Sequence, residues 1–176
     1  MKIIITSFLV CLTISQSFAQ TPKKVSLYLL TQYNKTISDV TIGNNPWGMG
    51  LGCQAYFNNQ SKFKPTIDLT GDIYLEDDKV YRTNADGSPI ADVPGMVNLF
   101  LGASYHPVNA VYISLVTGPS FIGGQTLIGL KPSFGFYFSK TQKWTGKISY
   151  INIFNRNKTT KQDFSSISLT VGLKLF

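Results

Sequence analysis

From Lys24 to Phe176 apolar and polar residues alternate with a period of two, the signature of strands with two unlike faces. Between Trp47 and Phe57 the odd positions are Trp47, Met49, Leu51, Cys53, Ala55 and Phe57, against Gly48, Gly50, Gly52, Gln54 and Tyr56. Between Lys62 and Tyr74, Phe63, Pro65, Ile67, Leu69, Gly71 and Ile73 alternate with Lys64, Thr66, Asp68, Thr70, Asp72 and Tyr74. Ile128, Leu130, Pro132, Phe134, Phe136 and Phe138 are set against Gly129, Lys131, Ser133, Gly135 and Tyr137 in the same way. The last segment sets Ile167, Leu169, Val171, Leu173 and Leu175 against Ser166, Ser168, Thr170, Gly172 and Lys174. No helical stripe competes, so the chain reads as all-β, with strands predicted at about 24–33, 47–57, 62–74, 95–105, 110–118, 126–138, 144–154 and 164–176. Pro132 falls inside one of them, and because proline removes a ladder donor, a bulge is expected there.

These segments are longer than the five or six residues usual in soluble sheets and match the span of a tilted strand crossing a bilayer. Connections are long after segments one, three, five and seven and short after two, four and six. That order predicts an eight-stranded antiparallel up-and-down transmembrane β-barrel, with both termini on the side of the short turns. The turns carry Asn58-Asn59-Gln60-Ser61 and His106-Pro107-Val108-Asn109. The polar phase is mostly Gly, Ser, Thr, Asn and Tyr, which suits a crowded lumen better than a watery surface. Two aromatic belts are expected, from Tyr56, Phe57, Phe63, Tyr105, Tyr137, Phe138 and Trp144 at the turn end and Trp47 and Tyr74 at the other.

Composition narrows the function. Charged residues make up 14% of the 176 residues, and the formal net charge is +7. One His and two Cys argue against zinc clusters and a disulfide framework, and no cofactor is expected. Met1-Lys2, the apolar run Ile3 to Ile14, and small Ser17 and Ala19 form a secretory signal peptide over residues 1–19, leaving 20–176 as the barrel domain. Nucleic-acid binding finds no support, because the basic residues are dispersed and the protein is exported.

Taken together, the leader, the eight alternating segments, the loop order and the terminal Phe176 resemble the small eight-stranded outer-membrane β-barrels of Gram-negative bacteria, of the OmpX and OmpA-domain type. The resemblance covers 20–176 and implies residence in the cell outer membrane, among its lipid and lipopolysaccharide. It also implies recognition of the last strand, Ser168 to Phe176, by the outer-membrane assembly machinery. One departure is plain: the apolar set of that strand is out of phase with Phe176.

The expected function is a non-enzymatic envelope protein with a plugged polar lumen and exposed loops, serving envelope integrity or adhesion. Competing readings are a narrow channel for small or apolar solutes, encouraged by Leu30, Met96, Phe100, Val116 and Leu127 on the inner phase, a lipid-modifying enzyme, and a soluble secreted lipocalin-like barrel. His106, placed on a short turn, has no catalytic company, and Cys53 reads as a small apolar residue. The polar network of the lumen is expected from Lys64, Asp68, Asp72, Lys131 and Lys147, with Lys174 from the last strand, both aspartates bonding to lysines because unpaired buried charges are costly. Glu76, Asp77, Asp78, Asp86 and Asp92 make the second long loop acidic without metal-ligand spacing. Arg156, Lys158 and Lys161 on the fourth are placed to meet lipopolysaccharide phosphates.

Overall fold

A computed structural model describes residues 24–37, 47–74, 95–122, 124–155 and 163–176. Eight strands run in sequence: β1 (Val25–Thr36), β2 (Trp47–Phe57), β3 (Phe63–Tyr74), β4 (Gly95–Val108), β5 (Val111–Ile122), β6 (Gln125–Tyr137), β7 (Trp144–Ile153) and β8 (Phe164–Lys174). Each pairs antiparallel with the next, and β1 closes on β8, so the sheet is a closed up-and-down barrel with no free edge. Closure matters physically, because each strand has a hydrogen-bonded neighbour on both sides and no sheet edge is left to lipid or water.

Strand phase sorts the side chains as the alternation predicts. Leu51 is 68% exposed and Ile73 69%, both facing out, while their chain neighbours Gly50 and Asp72 are buried. Small residues on the inner face make room for large ones. Tyr112 lies where a Cβ on Gly135 would stand, its ring overlapping that point. Phe100 occupies the equivalent space over Gly129.

Several expectations are corrected. β5 and β6 are joined across residues 123–124 alone, with Ile122 paired to Gln125, so the third loop is a tight hairpin and the alternation of long and short connections fails there. Gly124 supplies the left-handed φ of 76° that such a turn needs. Pro132 marks no bulge: it pairs with Leu115, and the β6–β7 register is the same on both sides of it, with rungs missing only at Lys131 and Pro132. The register shift lies instead between Tyr105 and Val108, around Pro107, in a β4 that runs three residues further than predicted. Tyr56, Tyr74 and Tyr137, expected in the belts, point into the lumen and are buried. Phase decides their direction, whatever their nearness to a strand end.

The outward belts that remain are built from other pairs. Tyr33 stacks on Trp47 at 5.1 Å at the loop end, and Phe63 packs on Tyr105 at 4.7 Å at the turn end. Beyond β8, Leu175 donates to the Leu27 carbonyl (2.8 Å) and Leu27 donates to that of Phe176 (3.1 Å), so the terminus is stitched to β1. Leu175 faces out and Phe176 is half-buried, the phase offset read in the sequence. The proposed leader, residues 1–19, lies outside the described residues.

Candidate functional site: the lumen and its charged waist

The bore is filled in three kinds of material. Near the turn end, Tyr28, Leu30, Tyr56, Tyr112 and Tyr137 form one buried cluster. His106 belongs with them: its ring stacks on Tyr112 at 5.4 Å and on Tyr137 at 6.2 Å, with Tyr56 edge-on at 5.5 Å. This corrects its expected place on a turn at the interface, because β4 continues through it and its phase is inward. At the loop end and along the walls of β4 to β8, Tyr74, Met96, Phe100, Val116, Ile122, Ile151, Ile153 and Phe164 form a second cluster, with Leu127 packed on it. The lumen is thus more apolar and more aromatic than small hydrophilic groups alone would make it.

Charges lie between. Asp68 on β3 accepts from Lys131 of β6 (2.9 Å) and from Lys147 of β7 (2.8 Å), one ammonium to each carboxylate oxygen. All three are buried, at 1%, 0% and 1% side-chain exposure. β3 and β7 stand four places apart in an eight-strand ring, so Lys147 reaches across the full bore. Its ammonium also donates to Gln54 Oε1 (3.3 Å), which takes a second bond from Tyr56 Oη (3.0 Å). Such ties compensate part of the large cost of removing three charges from water.

Asp72 behaves differently from expectation. Its carboxylate is held by amides, not lysines: Oδ1 accepts from Gln32 and from Asn34 (2.6 Å), and Oδ2 from Asn98 (3.1 Å). A second tier locks those amides, since Ser168 donates to Asn34 and Thr170 to Gln32 (3.4 Å). The reason is register. Asp72 stands four residues along the strand from Asp68, about 13 Å at the usual rise, beyond the reach of ammoniums already turned to Asp68. Lys64 is half-buried near the turn end and makes no ion pair among the described residues. Lys174 closes the inner phase of β8 at that end and is partly exposed.

Gln32, Asn34, Gln54 and Asn98 were legible only as inward polar positions; nothing in the sequence announces which carboxylate they serve. The acidic residues of the second loop and Arg156, Lys158 and Lys161 lie outside the described residues. Among the described residues no group of His, Cys, Asp and Glu could hold a metal. Cys53 is half-buried on the outward phase.

No protein-family model matches the sequence, and no curated protein matches it either. Solved structures match the shape. The attachment invasion locus protein Ail of Yersinia pestis aligns over 86% of this chain and 97% of its own, at 11% identity and a TM-score of 0.54. Neisserial surface protein A aligns over the same shares, 86% and 97%, at 16% identity and 0.54. A de novo designed transmembrane β-barrel aligns over 89% and 98%, at 10% identity and 0.50. At such identities the likeness is one of fold: the chain is an eight-stranded barrel of the type built by small outer-membrane proteins.

Proposed function

We propose that this protein is a non-enzymatic integral barrel of the outer membrane, its wall in lipid, its bore closed by its own side chains, and its long loops displayed for contact. One observation carries the reading, the inverted polarity of the wall. Among the described strand residues, the outward phase bears a single formal charge, Lys35, and that sits at the loop end with its ammonium 4.9 Å from the Trp47 ring. Asp68, Asp72, Lys131 and Lys147 face the other way. A soluble barrel would reverse this arrangement, because water solvates charge and lipid does not. The lipocalin-like reading is disfavoured on the same ground.

Closure of the bore follows from the two apolar and aromatic clusters that stand above and below the charged waist, as expected of a barrel of eight strands. The shapes of a bacterial attachment protein and a surface protein support a role in adhesion or envelope integrity. Arg156, Lys158 and Lys161 would meet lipopolysaccharide phosphates, and the strand ending at Phe176 would engage the assembly machinery.

Fractionation decides the location. The protein should stay in the outer-membrane pellet through carbonate extraction and migrate as a compact, heat-modifiable band on a detergent gel. Release by carbonate would overturn the membrane reading. Vesicles carrying the protein should show no small-solute flux above that of empty vesicles, and measurable flux would overturn the closed bore.

A further inference from the structure

We propose that the turn end of the barrel is a binding surface for anionic phospholipid headgroups of the leaflet on that side. The inference rests on the membrane reading and adds the chemistry of the lipid. Lys24, Lys62, Lys140 and Lys143 stand exposed at that end, outside the strands, and none is in a salt bridge among the described residues. Lys64 and Lys174, partly exposed, lie beside them. No acidic side chain answers them there. Among the described residues the acidic ones are Asp68 and Asp72 in the bore and Asp163 at the loop end.

The distribution is one-sided. The connections at the opposite end, residues 37–46, 75–94 and 154–163, carry five basic residues against seven acidic ones. In the bore, Lys131 and Lys147 are matched in number by Asp68 and Asp72. The excess of basic over acidic residues in the barrel therefore gathers at the turn end. It also runs along the rim. The Lys143 carbonyl accepts from the Lys174 N–H (2.8 Å), which joins β7 to β8, and the Lys24 carbonyl accepts from the Asn58 N–H (2.7 Å) across β1 and β2. With Lys62 in the turn before β3, the arc from β7 through β8 and β1 to β3 is basic throughout.

The outward aromatic belt lies directly against this arc. Lys62 precedes Phe63, Lys143 precedes Trp144, Lys140 is two residues past Phe138, and Lys24 precedes Val25, which pairs with Phe57. Such rings settle at the headgroup level, and the long stem of a lysine carries its ammonium from there to the phosphates. A soluble acidic partner would need no aromatic rings beneath the charges. An anionic leaflet uses both.

The test uses the full-length protein refolded into vesicles of phosphatidylcholine mixed with phosphatidylglycerol. Trp47→Phe leaves Trp144, at the turn end, as the fluorophore. Its quenching by brominated phosphatidylglycerol is compared with that by brominated phosphatidylcholine. At about 20 mM salt the anionic lipid should be preferred at least about threefold, and the preference should shrink towards one at about 500 mM. Replacing Lys24, Lys62, Lys140 and Lys143 together by Gln should remove it at low salt. Equal quenching by the two lipids, a preference indifferent to salt, or one that survives the four substitutions overturns the surface. Poly-glutamate sedimenting with vesicles that show no lipid preference overturns it in favour of a soluble acidic partner. The salt series needs no lysine variant, so it decides even if the fourfold variant does not fold. A protein that resists carbonate extraction and still shows no preference has lost this inference alone; one that carbonate releases has lost the membrane reading.

Discussion

At the scale of single residues, the bore rests on contacts that tolerate little change. Removing the charge of Asp68 leaves two buried ammoniums without their carboxylate, and breaking a buried pair from one side costs about 3–5 kcal/mol. Asp68→Asn should therefore lower the urea midpoint of the folded barrel strongly. Lys131→Met, which keeps the Asp68–Lys147 pair, should cost distinctly less; equal losses would mean that the pairing at Asp68 does not matter. Space is as exacting as charge. Gly135→Ala would drive a methyl into the Tyr112 ring, whereas Gly71→Ala, with its nearest neighbour 4.0 Å away, meets nothing. Gly135→Ala should destabilise by about 1–3 kcal/mol, as overpacking does, and Gly71→Ala by much less, read from the same unfolding curves.

Strands were the most legible level, because side chains alternate strictly across a sheet and one face here is almost free of charge. The phase that put Leu51 and Ile73 outside holds across all eight strands. Phase outweighs nearness to a strand end, which is why Tyr56, Tyr74 and Tyr137 point inward and not to the belts. His106 faces inward for a related reason: Pro107, a turn signal in the sequence, is accommodated by a shift of register, and β4 continues. Proline alone does not fix where a bulge falls, since the register shifts around Pro107 and not at Pro132. Pro132 and Pro119 each coincide with missing rungs on one side, while the ladder resumes in step beyond them. Partnership between lumen groups was illegible, because which strands face one another across the bore depends on closure. Lys147 meets Asp68 from the opposite wall, a relation no local pattern encodes.

For the molecule as a whole, an inverted polarity means that the wall's stability depends on its medium, and a charge placed on the outer face tests this directly. Leu69 lies midway along β3, faces out, and pairs with Cys53 and Leu99 on its two sides. In water an arginine there would be nearly neutral, since an exposed side chain on a sheet surface is hydrated. In lipid the same guanidinium sits near the midplane, where it costs about 2–4 kcal/mol, falling towards zero at the interfaces. Leu69→Arg should therefore destabilise the barrel in lipid vesicles by that amount, while an arginine replacing Phe63 at the strand's turn end should cost little. The depth dependence is the decisive part, because damage to packing would not distinguish the middle of a strand from its end in this way. A flat profile, with both substitutions equally mild, would place the apolar face against something other than a bilayer.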